Sequence, residues 1–204
     1  MGEEVLPGIY RVFDTFVNAY LIDKGEYLIA VDTGIETTCE KILDVVEKLG
    51  KPLKAIVLTH GHLDHTGSLK CLKEKTGALI AAHRDEGGLI FEKTGLRPDL
   101  KLDGGEVFEG LRVIHTPGHT KGSMCLLDER SESLFVGDIV IERDGELDEV
   151  PHRYSLDPEM NRRSIAKLLD VNFRNLLPAH GEPLLGNGKE KLRELVERLG
   201  LIPT

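Results

Sequence analysis

Apolar residues along this chain fall mostly into short runs separated by turn-forming residues, with three longer stretches where the period changes. GIYRVFD, NAYLID and YLIAVDT concentrate β-branched and aromatic residues and predict three early strands. Lys24-Gly25, between the second and third, marks a hairpin. From Thr37 to Leu49 the apolar residues Ile42, Leu43, Val45, Val46 and Leu49 recur at three- and four-residue spacing, which predicts a helix stopped by Gly50. Leu53 to Leu58 (LKAIVL) reads as a buried strand running straight into THGHLDHTG, followed by a helix from about Ser68 to Lys75 and the strand GALIAAH.

The second half repeats the style without repeating the sequence. EVFEG, LRVIH, SMCLLDE and LFVGD predict strands, with Ser131-Glu132-Ser133 as a turn. Asp157-Pro158 supplies an N-cap followed by Pro at the first helical position, opening a helix through Leu169. NLLPAHG gives a last strand and loop, and KEKLRELVERLG an amphipathic closing helix with a solvated charged face over core. No linker, repeat or low-complexity tract interrupts residues 1–204, which read as a single domain. Strands in both halves with helices interleaved predict an α+β chain with sheet packed on sheet and helices outside.

Composition narrows the function classes. With 26 Lys and Arg against 35 Asp and Glu, the net charge is −9, and no basic run offers a nucleic-acid footprint. MGEEVLPGIY lacks the basic and apolar regions of a signal peptide, and no apolar run is long enough to span a membrane. Three scattered cysteines, Cys39, Cys71 and Cys125, form no CxxC pair and read as buried thiols in a reducing compartment. The expected location is the cytoplasm. The chain has no Gln, no Trp and five Asn, a composition that hyperthermophile proteins favour and that chance in a short chain also produces.

Histidine placement carries the chemistry. His60, His62, Asp64 and His65 form H-x-H-x-D-H directly after a buried strand, where a rigid sheet positions what the following segment exposes. Imidazoles and a carboxylate are donors that Zn²⁺ accepts. A solvated polar loop is the alternative for those four residues alone. Three further segments share one shape, a strand, a ligand-type residue and a glycine nearby: TPGHTKGS with His119, LFVGD with Asp138 and LLPAHG with His180. Singly each reads as a cap or loop residue. Together with the first cluster they make seven donors, enough for two metals sharing one carboxylate.

In T-H-G-H-L-D-H at 59–65, T-P-G-H-T at 116–120, F-V-G-D at 135–138, P-A-H-G at 178–181 and the early V-D-T-G at 31–34, the chain resembles the metallo-β-lactamase superfamily. The resemblance implies an αβ/βα four-layer sandwich with a metal site at the edge between two sheets. It implies that His60, His62 and His119 hold one metal, that Asp64, His65 and His180 hold a second, and that Asp138 bridges them. Asp32 matches the acid that orients ligands from behind, and a plain strand-end turn is its other reading. A bridging Asp138 with no cysteine at a ligand position looks more like the glyoxalase II branch than like true β-lactamases. Glyoxalase II, however, carries a further helical region that grips glutathione, whereas 24 residues follow His180 here. Quorum-signal lactonases carry a Tyr three residues after the bridging Asp, where this chain has Ile141.

The implied cofactor is two Zn²⁺, with Fe²⁺ or Mn²⁺ suited by the same donors. The implied reaction is hydrolysis of a small activated acyl substrate (thioester, ester or lactone) by a metal-bridging hydroxide, with Asp64 orienting it and relaying a proton. Two rivals stand beside this reading: a persulfide-oxidising enzyme with a single iron on His60, His119 and Asp138, and a non-catalytic metal-binding module. His152, Arg153 and Tyr154 are candidate substrate contacts between Asp138 and the next helix. His83 reads as a polar strand end and His115 as a loop hydrogen-bonder. No partner other than the small substrate is expected, neither nucleic acid nor membrane, and nothing in the sequence speaks to oligomeric state.

Overall fold

A computed structural model describes residues 2–201. It divides at Leu102/Asp103 into two compact units. The first is built on a seven-stranded sheet whose strands lie in chain order: β1 (Glu3–Leu6), β2 (Ile9–Asp14), β3 (Val17–Asp23), β4 (Leu28–Val31), β5 (Leu53–Leu58), β6 (Leu79–His83) and β7 (Leu100–Leu102). The first four pair antiparallel through short turns, and the hairpin read at Lys24-Gly25 joins β3 to β4. From β4 onward the pairing is parallel. Parallel neighbours need crossovers, and helices supply them: α1 (Thr38–Leu49) before β5, α2 (Leu63–Thr66) and α3 (Leu69–Thr76) before β6, and α4 (Gly87–Thr94) before β7.

The predicted apolar positions form this unit's core. Ile42 of α1, Leu69 and Leu72 of α3 and Ile90 of α4 pack with Leu21, Leu28, Ile56, Leu58 and Ile80 of the sheet. Gly50 ends α1 in the left-handed conformation, its N–H donating to the carbonyls of Val46 and Glu47. Sequence reading missed α2, which lies on the histidine motif and is too short for a period to show. It also missed α4, whose opening Gly87-Gly88 has poor helix propensity and is overridden by burial of Ile90.

The cysteine reading requires a correction. Cys39 of α1 and Cys71 of α3 form a disulfide, with Cα atoms 6.3 Å apart. Neither spacing nor a CxxC signature announces a pair separated by 32 residues. The cysteine argument for a reducing compartment therefore falls. Cys125 alone is a free, buried thiol, and burial pushes its pKa up to about 12.

In the second unit a five-stranded sheet has the order β14-β11-β10-β9-β8. Its members are β8 (Val107–Phe108), β9 (Leu111–His115), β10 (Met124–Asp128), β11 (Ser133–Gly137) and β14 (Asn175–Pro178). β12 (Val140–Arg143) and β13 (Glu146–Glu149) form a separate hairpin that the sequence reading did not anticipate. α5 (Pro158–Lys167) opens as read, with the Asp157 carboxylate accepting from the Met160 N–H at 2.9 Å. α6 (Gly188–Arg198) buries Leu192, Leu195 and Val196 against Leu176, Leu134 and Ile165.

Strand direction places the chemistry of this unit. β11 and β14 are parallel neighbours, and β9 runs the same way because it is antiparallel to β10, itself antiparallel to β11. The carboxyl ends of all three strands therefore share one sheet edge. His119 follows β9, Asp138 follows β11 and His180 follows β14. No helix among the described residues is long and apolar enough to cross a membrane.

Candidate metal centre

In the first unit four ligand-type residues follow β5 within one turn of chain. The Nε2 atom of His60 stands 3.1 Å from Nδ1 of His62. The His60 and His65 rings lie 3.9 Å apart at their centroids, and Nε2 of His65 is 3.8 Å from an Asp64 carboxylate oxygen. His60 and His65 are fully buried, while Asp64 keeps a partly exposed side chain.

Asp32 sets the tautomer of His65. Its Oδ2 lies 2.8 Å from Nδ1 of His65, so Nδ1 carries the proton and Nε2 presents its lone pair. The same carboxylate accepts from the N–H and hydroxyl of Thr59, each at 2.7 Å. The Thr59 oxygen, its own proton committed to Asp32, lies 3.2 Å from Nδ1 of His60 and favours the matching tautomer there. Asp32 sits at φ +59°, a left-handed conformation uncommon outside glycine. Its carboxylate thus joins the start of the histidine motif, at Thr59, to the imidazole of His65.

The surrounding backbone is laced to the motif. Thr33 donates from both N–H and hydroxyl to the His65 carbonyl at 2.8 Å, and the Gly67 N–H donates to Gly34. A Cβ on Gly67 would stand 2.7 Å from the backbone of Ile35 and Glu36, so only glycine permits this approach. The buried Glu86 carboxylate accepts from the Gly61 N–H at 2.8 Å, fixing the link between His60 and His62.

In the second unit Asp138 is the centre. Its Oδ2 lies 3.5 Å from Nε2 of His119 and its Oδ1 lies 3.2 Å from Nε2 of His180. The two carboxylate oxygens thus point at two different imidazoles. The His119 loop is clamped to the start of α5: Leu156 and Asp157 donate their N–H groups to the carbonyls of His119 and Gly118. A Cβ on Gly118 would stand 2.1 Å from the Asn161 nitrogen. Asn161 in turn donates its side-chain N–H to the carbonyl of Ile139, beside Asp138, at 3.0 Å.

Donor spacing fits divalent metal. Two donors on one tetrahedral ion, at metal–nitrogen distances of about 2.0–2.1 Å, stand roughly 3.3–3.4 Å apart. The His60–His62, His119–Asp138 and His180–Asp138 distances of 3.1, 3.5 and 3.2 Å bracket that edge. Neutral imidazoles and carboxylates are the donor types such an ion takes.

Family models and known structures bear on the same residues. The model described as Metallo-beta-lactamase superfamily matches residues 12–180, most of the chain and parts of both units. The chain belongs to the metallo-β-lactamase superfamily. It is 32% identical to the lactamase-like protein AptB of Emericella nidulans, over 88% of this chain and 55% of that protein. It is 26% identical to YflN of Bacillus subtilis, described as a probable metallo-hydrolase, over 98% of this chain and 94% of that one. The DIM-1 metallo-β-lactamase crystal structure aligns with a TM-score of 0.79 at 21% identity, covering 98% of this chain and 97% of that one. The chain therefore has the α+β metallo-β-lactamase fold. It spans between 55% and 61% of the length of several curated relatives.

Outside the ligand loops, the sequence-read candidates have defined places. His152, Arg153 and Tyr154 form an exposed turn just before Leu156. His152 donates to Glu149 at 3.0 Å, and Glu149 also accepts twice from Arg162. Those Arg162 bonds, with a smaller share from His152, hold the Glu149 carboxyl below its usual range against the opposing effect of burial. The Arg153 guanidinium lies over the Tyr154 ring at 4.6 Å. His115 bonds the Lys121 carbonyl at 3.0 Å, the loop role expected of it, and His83 accepts from the Asp85 N–H. Glu86, Asn161 and Glu142 were not singled out from sequence. The bonds Glu86–Gly61, Asn161–Ile139 and Glu142–Glu182 span 22 to 40 residues, and no local spacing signals them.

Proposed function

We propose that this chain is a dinuclear metal-dependent hydrolase of small activated acyl substrates, a thioester, ester or lactone, in the manner of the glyoxalase II-like branch. The observation that carries the reading is the fork of Asp138, whose two oxygens address His119 and His180 separately. A carboxylate serving one ion would not need both. His60, His62 and His119 would hold one ion, Asp64, His65 and His180 the other, and Asp138 would serve both. Zinc suits the donors, and Fe²⁺ and Mn²⁺ share them.

Bound metal supplies a water acidified to near-neutral pKa and polarisation of the substrate carbonyl. The chain's own residues do the rest. Asp32 and Thr59 keep Nε2 of His65 and of His60 unprotonated. Asp64, whose side chain is partly exposed, would orient the attacking water and pass its proton to the leaving group. Arg153 and Tyr154, exposed on the turn before the His119 clamp, are the proposed substrate contacts, with His152 bracing the turn through Glu149. Alanine at Arg153 and Tyr154 should raise KM for the preferred substrate, and an unchanged KM removes them from the pocket.

The test is turnover of a panel of thioesters, aryl esters and lactones before and after chelation. Hydrolysis lost on chelation and restored by zinc supports the reading. Absence of any hydrolysis, together with oxygen uptake on a persulfide, would move the activity to a single iron on His60, His119 and Asp138.

A further inference from the structure

Glu142 is a buried carboxylate on β12 that takes no part in the chemistry proposed above. Its Oε1 accepts from the Gly145 N–H at 2.6 Å, in the turn between β12 and β13. Its Oε2 accepts from the Glu182 N–H at 2.5 Å, two residues past His180. Its own N–H donates to the His180 carbonyl at 3.0 Å. One residue thus holds the His180 loop at two points, the His180 carbonyl and the Glu182 N–H.

Gly181 shows how close that grip is. It sits at φ +102°, and a Cβ there would stand 2.4 Å from the Glu142 carbonyl oxygen and 2.5 Å from its Oε2. The loop is closed further on by the pairing of Leu176 with Leu184. Glu142 lies four residues after Asp138 along the same chain segment. It therefore ties the segment carrying Asp138 to the loop carrying His180, the pair whose Oδ1–Nε2 distance is 3.2 Å.

We propose that Glu142 is the positioning residue of His180, setting affinity for the ion held by His180 while leaving the ion held by His60, His62 and His119 nearly untouched. The chemistry follows from what the carboxylate accepts. Two backbone N–H groups converge on one side chain, and an ionised carboxylate satisfies both. Glutamine is the same size but offers one oxygen, so its NH₂ must face one of the two N–H donors. The loop then shifts or one amide is left buried and unmet. Supporting groups that orient ligands in this way alter metal affinity by about 10–100-fold.

This inference rests on the two-ion reading, and the experiment separates the two. The metal-free full chain is titrated with zinc against a competing chelator, for wild type, Glu142→Gln, His180→Ala, the double variant and Leu195→Ala, a core variant on α6. Wild type should take up two ions. Glu142→Gln should weaken the second by about 10–100-fold and leave the first within about threefold. The double variant should be no worse than His180→Ala alone, because both changes remove one interaction. Leu195→Ala should lower the melting temperature without selective loss of the second ion. Glu142→Gln binding both ions as wild type does, or losing both in the pattern of Leu195→Ala, overturns the proposal. A wild-type chain that takes up fewer than two ions overturns the two-ion reading and this inference with it.

Discussion

At the scale of single residues, a histidine becomes a metal donor through what holds its other nitrogen. His65 has its Nδ1 proton committed to Asp32, and Asp32 is itself held by two donors from Thr59. Asp32→Asn keeps the shape and breaks the logic. The asparagine oxygen must stay on the Thr59 N–H, which turns its NH₂ toward Nδ1 of His65. The imidazole then answers by moving its proton to Nε2, the atom that should bind metal. The expected outcome is a loss of about 10–100-fold in affinity for the ion held by His65, read by chelator competition. Unchanged affinity would show that Asp32 is a structural turn residue only. The candidate donors were legible in the sequence because H-x-H-x-D-H is local and each of the others follows a strand with a glycine nearby. Their braces were not. Glu86 reaches Gly61, Asn161 reaches Ile139 and Glu142 reaches Glu182 across contacts that only the folded chain creates.

At the scale of elements, α1 is held at its amino end by Asp14, the last residue of β2. Burial alone would raise this carboxyl's pKa, but hydrogen bonds from Lys41, Thr37 and Thr38 outweigh it and hold the group below its ordinary range. A carboxyl depressed in the folded state contributes stability above its unfolded pKa and loses it as pH falls through the folded one. Asp14→Asn should therefore cost about 1–3 kcal/mol at pH 7 in urea unfolding, with the difference from wild type shrinking as pH falls through the depressed folded-state pKa. A difference independent of pH would contradict this assignment.

The Cys39–Cys71 bond ties the same helix to α3. Closing a loop of this separation restrains the unfolded chain by about 3–4 kcal/mol in the chain-entropy model. Thiol titration should find no reactive thiol in the native chain, one after denaturation without reductant and three after reduction. Three thiols without reductant would show that the bond does not form. Most strands and the helices α1, α3, α5 and α6 could be read from the sequence. The elements missed were β1, β7, α2 and the β12–β13 hairpin, each too short for a repeat, and α4, which begins on two glycines.

At the scale of the whole molecule, 35 acidic against 26 basic residues give a net charge of −9, which attracts cations and repels polyanions. The donors are spread over both compact units, four following β5 in one and three following β9, β11 and β14 in the other. Their order along the chain was the part of the function most visible in sequence, since the superfamily match over residues 12–180 runs through all seven. The proposed acyl substrate has a weaker basis in sequence, because the turn at His152–Tyr154 carries no spacing rule of its own. The proposed function rests on two ions around Asp138. Elemental analysis of protein purified without a histidine tag or chelator tests it most directly. Close to two zinc per chain is expected, falling to one or fewer in Asp138→Ala. One iron per chain, or two ions that persist in Asp138→Ala, would contradict it.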